Sequence, residues 1–173
     1  MPPYYDVYGL TKQRNKKTVE RFLTYYSFRE KIENRVGQEL LVYKNDKYKV
    51  EESITTINTL TELIDFGIKN TNLGFVFYIG DNLKKGIDHI ILKFTYDGKI
   101  IFGISIEEKK LNEKGELIDN YIKALEIERS IAMITKSNKT SIQFEYAPSD
   151  DEDEFDSDIE LWKSMNEEKQ KEI

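Results

Sequence analysis

Residues 89–106, HIILKFTYDGKIIFGISI, decide the fold. Apolar side chains alternate on both sides of Asp97-Gly98, and Asp-Gly between two such runs is typical of a β-hairpin with a type I′ turn. Because side chains alternate between the two faces of a strand, each run has a face for the core. The residues that we predict to be buried on it are Ile90, Leu92, Phe94, Phe102 and Ile104. Since nearly every position is apolar, we expect the hairpin at the centre of a sheet.

Shorter patterns on either side of the hairpin predict the remaining elements. The helices predicted from apolar spacing and capping residues are Asn15 to Ile32, a second one opened by the Thr59 to Glu62 capping box, and Leu117 to Thr135. The predicted strands are Tyr4 to Leu10, Glu39 to Tyr43, Tyr48 to Ile57, Gly74 to Ile79 and Ser141 to Tyr146, with a turn at Asn45-Asp46. This order predicts an α+β protein, an antiparallel β-meander with flanking helices.

Composition narrows the class of protein. A chain of 173 residues suits a single domain, and the lack of cysteine excludes disulfides and thiolate metal sites. His89 is the one histidine, so neither an all-histidine metal site nor an H-E-x-x-H pair is possible. We see no secretory leader and no apolar run long enough to cross a bilayer. We therefore expect a cytoplasmic protein that needs no cofactor or metal and does not enter a membrane.

The acidic charge is concentrated at the C terminus. Residues 148–173 contain eleven acidic and three basic residues, a net charge of −8, whereas residues 1–147 contain twenty-one and twenty-three, a net charge of +2. This asymmetry predicts an α+β domain over 1–147 and, over 148–173, an acidic, partly disordered tail with a short amphipathic helix.

The tail is the segment that we predict to bind a partner. Acidic inhibitors associate quickly with basic proteins, and aromatic anchors then supply affinity. The predicted partner-binding residues are Asp150, Asp151, Glu152, Asp153, Glu154, Phe155, Asp156 and Trp162.

A basic face is predicted on the first helix, with Lys16, Lys17 and Arg21 as its principal residues. This basic face has two interpretations, a phosphate-binding site and an ordinary solvated surface. The solvated surface is the more frequent of the two. The acidic tail is a polyanion tethered to the same chain, so it can also contact this basic face. We therefore expect the basic face to compete with a partner for the acidic tail. Binding to nucleic acid is not the favoured interpretation.

One alternative to a binding protein is an enzyme. Glu107-x-Lys109 resembles the E-x-K element of PD-(D/E)xK nucleases, and the element order from Thr59 to Tyr146 is similar to their core. If Tyr96 pairs with Lys99, Asp88 stands opposite Glu107 and could share a metal ion with it. The alternative catalytic residues are therefore Asp88, Glu107 and Lys109, although the proline that usually precedes the first aspartate is missing.

Longer stretches resemble a group of small bacterial α+β proteins. The strings are TLTELIDFGIKNTNLGFVFYIGD, HIILKFTYDGKIIFGISI, FEYAP and, at the N terminus, YDVYGLTKQRNKKTVERFL. Proteins of this size and style often accompany polymorphic toxins as immunity proteins, and the resemblance brings no catalytic motif. It implies a fold more than an activity, and the acidic tail departs from the group. Together with the small size and the acidic segment, it favours a non-enzymatic protein that neutralises a basic toxin, such as a nuclease domain.

Overall fold

The central hairpin is present, with a different turn. The computed structural model describes residues 2–46 and 49–173. Strands β5 (His89–Phe94) and β6 (Ile100–Glu107) form the hairpin, and all five predicted core side chains are fully buried, which confirms that prediction.

The predicted type I′ turn is wrong. Thr95 N–H donates to Lys99 O at 2.9 Å and Gly98 N–H donates to Thr95 O at 3.1 Å, which leaves a three-residue loop with Gly98 at φ +87°. The resulting register places Leu92 opposite Phe102. A two-residue turn would shift the pairing by one position and place apolar side chains opposite polar ones, so the shared buried face selects the longer loop.

Three further strands complete an antiparallel sheet around this hairpin. They are β1 (Tyr4–Thr11), β4 (Phe75–Ile79) and β9 (Lys139–Phe144), and the order is β4-β5-β6-β1-β9. The predicted α+β class with an antiparallel sheet is therefore confirmed, and β6 is the central strand.

Three helices contribute to the core on the inner face of the sheet: α1 (Lys16–Tyr26), α2 (Leu60–Lys69) and α3 (Tyr121–Thr135). The sequence allows two N-caps for α1, Asn15 and Thr18, and the structure uses the first, since Asn15 Oδ1 accepts a hydrogen bond from Thr18 N at 3.2 Å. It ends earlier than predicted because Ser27 Oγ donates to Leu23 O, and a 3-10 helix, Arg29–Ile32, follows. Thr59 caps α2 as predicted.

The segment before α3 is a hairpin rather than part of the helix. Strands β7 (Lys109–Leu111) and β8 (Leu117–Asp119) pair with each other. Leu117, at which we predicted the third helix to begin, is 68% exposed. The extended backbone of β8 therefore contradicts the predicted helix start.

A second sheet contains only β2 (Asn34–Asp46) and β3 (Lys49–Thr59), both longer than predicted. Its buried side chains belong to the main core, and Tyr43 exchanges two backbone hydrogen bonds with Gly74, the residue before β4. The strand continues through the predicted turn at Asn45-Asp46, and Tyr48 lies outside the described residues.

The C-terminal segment differs most from its prediction. It forms helices α4 (Glu152–Leu161) and α5 (Lys163–Lys171), and Phe155 of α4 is fully buried against the outer face of the sheet. The inward residues follow helical spacing: Phe155, Asp158, Ile159 and Trp162. The boundary predicted at 147/148 therefore does not separate a folded body from a detached tail.

Candidate functional site

The first carboxylates of the acidic segment bind the end of the sheet that carries the β5–β6 loop. Lys93 Nζ, on a side chain that is 9% exposed, lies 2.8 Å from Asp150 Oδ1. Asp151 caps α4 by accepting a hydrogen bond from Glu154 N at 2.7 Å, and it also accepts the Tyr96 hydroxyl at 2.5 Å. Two predicted partner-binding residues, Asp150 and Asp151, thus make contacts within the protein itself.

A second set of contacts fixes the first turn of α4. Glu152 lies 3.2 Å from Lys139 Nζ and 3.6 Å from Lys99 Nζ, and Asp156 lies 2.6 Å from Lys139 Nζ. The Glu152 backbone N–H donates to Asp97 Oδ2 at 3.0 Å. Burial by itself would raise the pKa of Asp97, but hydrogen bonds from Thr95 and Glu152 and the ion pair with Lys99 outweigh it and lower that pKa.

The predicted aromatic anchors are not available to a partner in this arrangement. Phe155 is fully buried with Tyr8, Leu10, Ile91 and Ile101. Trp162 is only partly exposed, and its ring lies edge-on to the Tyr146 ring with centroids 5.6 Å apart. In this conformation Phe155 therefore holds the helix on the sheet and is not exposed to a partner.

The outward side of α4 remains exposed and acidic. We define the acidic face of α4 as Asp153, Glu154, Asp156 and Glu160, all exposed. Among the described residues only Asp156 of this set has an ion pair, with Lys139. Leu161, beside these carboxylates, is 58% exposed and offers the apolar contact that sequence reasoning assigned to Phe155.

The basic residues predicted on the first helix lie around a separate surface depression. Lys17 and Arg21 line a cavity of about 520 Å³ together with Lys12 and Lys136. Lys16 does not line this depression, and its Nζ lies 2.6 Å from Asp65 Oδ1. The ion pairs of α4 described above are on the other face of the sheet, so the expected docking of the acidic segment on α1 differs from the structure.

The residues of the alternative nuclease site lie around one depression, but Asp88 and Glu107 are not directly opposite each other as predicted. Asp88, Glu107 and Lys109 line a cavity of about 460 Å³ with three more lysines, Lys85, Lys110 and Lys123. The register pairs His89 with Ser105, so Asp88 is one position out of line with Glu107. The predicted direct opposition of these two carboxylates is wrong.

The local backbone also differs from a continuous E-x-K strand. Asp88 Oδ2 accepts a hydrogen bond from Glu107 N at 3.1 Å, and a bend at Glu108 separates β6 from β7, which carries Lys109. Within residues 2–46 and 49–173, no cluster of three histidine, aspartate or glutamate side chains is arranged to hold a metal ion.

Sequence reasoning missed a polar row on the outer face. The pairing places four polar residues side by side across four strands: His89, Ser105, Asp6 and Gln143. Ser105 and Gln143 are 4% and 1% exposed, so the row includes buried polar side chains. The available signal was a polar residue at a position that faces away from the main core in each of the four strands, but only the register shows that these positions are neighbours.

Asp6 is the charged centre of that row. Its carboxylate accepts hydrogen bonds from Ser105 Oγ and, at 3.0 Å, from Tyr146 N. Burial raises the pKa of Asp6, the nearby Glu145 raises it further, and the two hydrogen bonds oppose this shift. In the part of the chain that the structure describes, Asp6 has no ion pair.

Tyrosine side chains surround Asp6. We define the tyrosine pocket as the depression of about 360 Å³ whose walls include Tyr4, Tyr8, Tyr78 and Tyr146. The Tyr8 ring lies over Gly103, where a Cβ atom would come within 2.7 Å of it, and the Tyr8 hydroxyl donates to Tyr146 O at 2.6 Å. The glycine on β6 thus makes room for one wall of the pocket.

No protein-family model, curated protein or solved structure matches the chain. Among the described helices, none combines the length and the apolar character needed to cross a bilayer.

Proposed function

We propose that this chain is a non-enzymatic binding protein of the immunity or antitoxin type, and that it neutralises a basic toxin through the acidic face of α4. The observation that carries the proposal is the exposed set Asp153, Glu154 and Glu160, which makes no ion pair among the described residues while neighbouring carboxylates hold the helix in place. Because these contacts hold the helix backbone in place, little backbone freedom is lost on binding.

Charge and apolar contact have separate roles in this proposal. Exposed carboxylates attract a basic partner over a distance and speed its association, although individual surface ion pairs contribute little affinity. Leu161, exposed beside the acidic face, supplies an apolar contact at the point of docking. We place this binding in the cytoplasm, since a chain without cysteine suits a reducing compartment.

The test uses the product of the gene adjacent to the one that encodes this chain. That product is expressed in a bacterial host with and without this chain, and growth and the association rate of the purified pair are measured. We expect growth inhibition that this chain relieves. We expect Asp153→Lys combined with Glu160→Lys to slow association at low salt by about tenfold, with a smaller effect at high salt.

A matched control separates the acidic face from net charge. Glu113→Lys combined with Glu116→Lys makes the same charge change in the exposed β7–β8 loop. Equal slowing by both double variants, or an adjacent product whose toxicity this chain does not relieve, would contradict the proposal.

A further inference from the structure

The tyrosine pocket lies next to the acidic helices but is formed by the sheet itself. Tyr4 and Tyr8 come from β1, Tyr78 from edge strand β4, and Tyr146 follows β9. At about 360 Å³ the pocket is within the range of small-molecule sites. Its tyrosines come from three separate parts of the chain, so their convergence on Asp6 is a property of the tertiary structure.

Asp6 gives the pocket a carboxylate at its base. The residue is 8% exposed, and each of its oxygens accepts one hydrogen bond, from Ser105 Oγ and from Tyr146 N. A carboxylate can accept about four hydrogen bonds, so each oxygen keeps one lone pair for a ligand. A buried carboxylate is costly when it is unpaired, and among the described residues Asp6 forms no ion pair, with His89 as the nearby basic group.

The surrounding rings reinforce the preference for a cation. The faces of tyrosine rings attract ammonium groups, and such contacts are stronger where water is displaced. Tyr4 is oriented by His89, with ring centroids 5.6 Å apart, and Tyr146 by Trp162. Tyr78 is 51% exposed at the rim, where it can cover an entering alkyl chain.

The charged groups at the rim are mainly acidic. Glu145 lies beside the pocket, and its charge is one of the influences that raise the pKa of Asp6. His89 is the one basic side chain among the lining residues, and no lysine or arginine belongs to the lining. The pocket therefore combines two carboxylates with four tyrosines, which disfavours an anion.

We propose that the tyrosine pocket binds a primary alkylammonium group, with the ammonium on Asp6 and the alkyl chain between the tyrosine rings. The group can belong to a free alkylamine or to a lysine side chain of another protein, since both present the same cation on a flexible apolar stem. The proposal does not depend on the function proposed for the acidic face of α4, because none of its residues belongs to that face.

The experiment measures binding of small probes to the full chain by isothermal titration and by chemical-shift changes at neutral pH. Pentylamine represents a free alkylamine, N-acetyl-lysine methylamide represents a lysine side chain, and pentanol is the uncharged match for pentylamine. We expect saturable binding of an amine with a Kd below about 10 mM, and at least about tenfold weaker binding of pentanol. Tighter binding of the capped lysine indicates a protein ligand, and tighter binding of pentylamine a free amine.

Variants locate the site. Asp6→Asn should weaken amine binding by at least about tenfold, the difference expected when a buried ion pair with the ligand is lost. Tyr78→Ala, at an edge strand where truncation is tolerated by the fold, should weaken it by about three- to tenfold. Glu113→Gln in the distant β7–β8 loop is the matched control and should change nothing.

Several results would overturn the proposal. They are equal binding of pentanol and pentylamine, no saturable binding of either amine up to about 10 mM, and amine binding that survives both Asp6→Asn and Tyr78→Ala. Circular dichroism of each variant checks that it is folded, and Tyr78→Ala decides the question if Asp6→Asn does not fold.

Discussion

The outer face of the sheet has two halves that differ in chemistry and in what covers them. Near the β5–β6 loop Phe155 of α4 packs on the apolar residues Leu10, Ile91 and Ile101, and two lysines of the same face, Lys93 and Lys139, bind carboxylates of the acidic segment. At the opposite end the row containing Asp6 and Ser105 is polar, and tyrosines line an open pocket there. Both halves are built from the same strands, so the difference lies in which side chains alternate outward.

This contrast separates stability from binding within one surface. The covered half gains free energy from apolar burial, on the order of 25 cal/mol per Å² removed from water. The open half holds a buried carboxylate whose ionisation is opposed by its surroundings, which is a feature of binding and catalytic sites. Three measurements test whether the two halves differ in this way.

The largest effect is expected from deletion of residues 149–173. The deletion removes Phe155 and exposes the apolar half of the outer face, and it also removes Asn166, whose Nδ2 donates to Ile142 O at 2.9 Å. We expect the free energy of unfolding to fall by more than about 4 kcal/mol in urea denaturation, beyond the loss of one buried aromatic ring. Deletion of only Glu172 and Ile173, both exposed, is the control. A truncated chain as stable as the full one would show that α4 is only loosely associated.

The next effect concerns a single side chain. Phe155→Ala should lower the free energy of unfolding by about 3–5 kcal/mol, because the residue is fully buried and its neighbours cannot close the cavity completely. Leu161→Ala on the exposed side of the same helix should change it by less than about 0.5 kcal/mol. Similar losses for both variants would mean that the helix does not pack through Phe155.

The smallest effect is a pH dependence at the open half. Because burial raises the pKa of Asp6, the folded state holds that proton more tightly than the unfolded chain does. The stabilisation from this proton is complete below the unfolded pKa of about 4, and it is lost as the pH rises through the folded pKa. The unfolding free energy of the native chain minus that of Asp6→Asn should therefore decrease between about pH 4 and pH 8, by about 1.4 kcal/mol per unit of pKa shift.

The control for this titration is Glu113→Gln, whose difference from the native chain should not depend on pH over the same range. A constant difference for Asp6→Asn would show that the folded environment does not oppose ionisation of the carboxylate, and the distinction between the two halves would then rest on packing alone.

Sequence patterns predicted the main elements where the signal was local. Alternation identified the central hairpin, and the caps at Asn15 and Thr59 marked two helix starts. The loop length at Asp97-Gly98 was not predictable from that pair, because the matching of two buried faces decided the register. The predicted opposition of Asp88 and Glu107 depended on the same register and was wrong for the same reason.

The candidate sites show the same limit. An acidic C-terminal segment was visible in the composition, yet the sequence could not show that Phe155 faces the sheet while Asp153 and Glu160 face solvent. The reason is that the apolar surface receiving Phe155 is assembled from β1 and the β5–β6 hairpin, which are distant from α4 in the chain.

By itself the sequence determined an α+β chain with a central antiparallel hairpin and an acidic C-terminal segment, because alternation, capping and charge act between near neighbours. Only the tertiary structure decided that this segment covers one half of the outer face and that Asp6 lies beside Ser105 among four tyrosines. Those contacts join residues that are far apart in the chain, 140 positions in the case of Asp6 and Tyr146, and strand register, which sets them, is a property of the whole sheet.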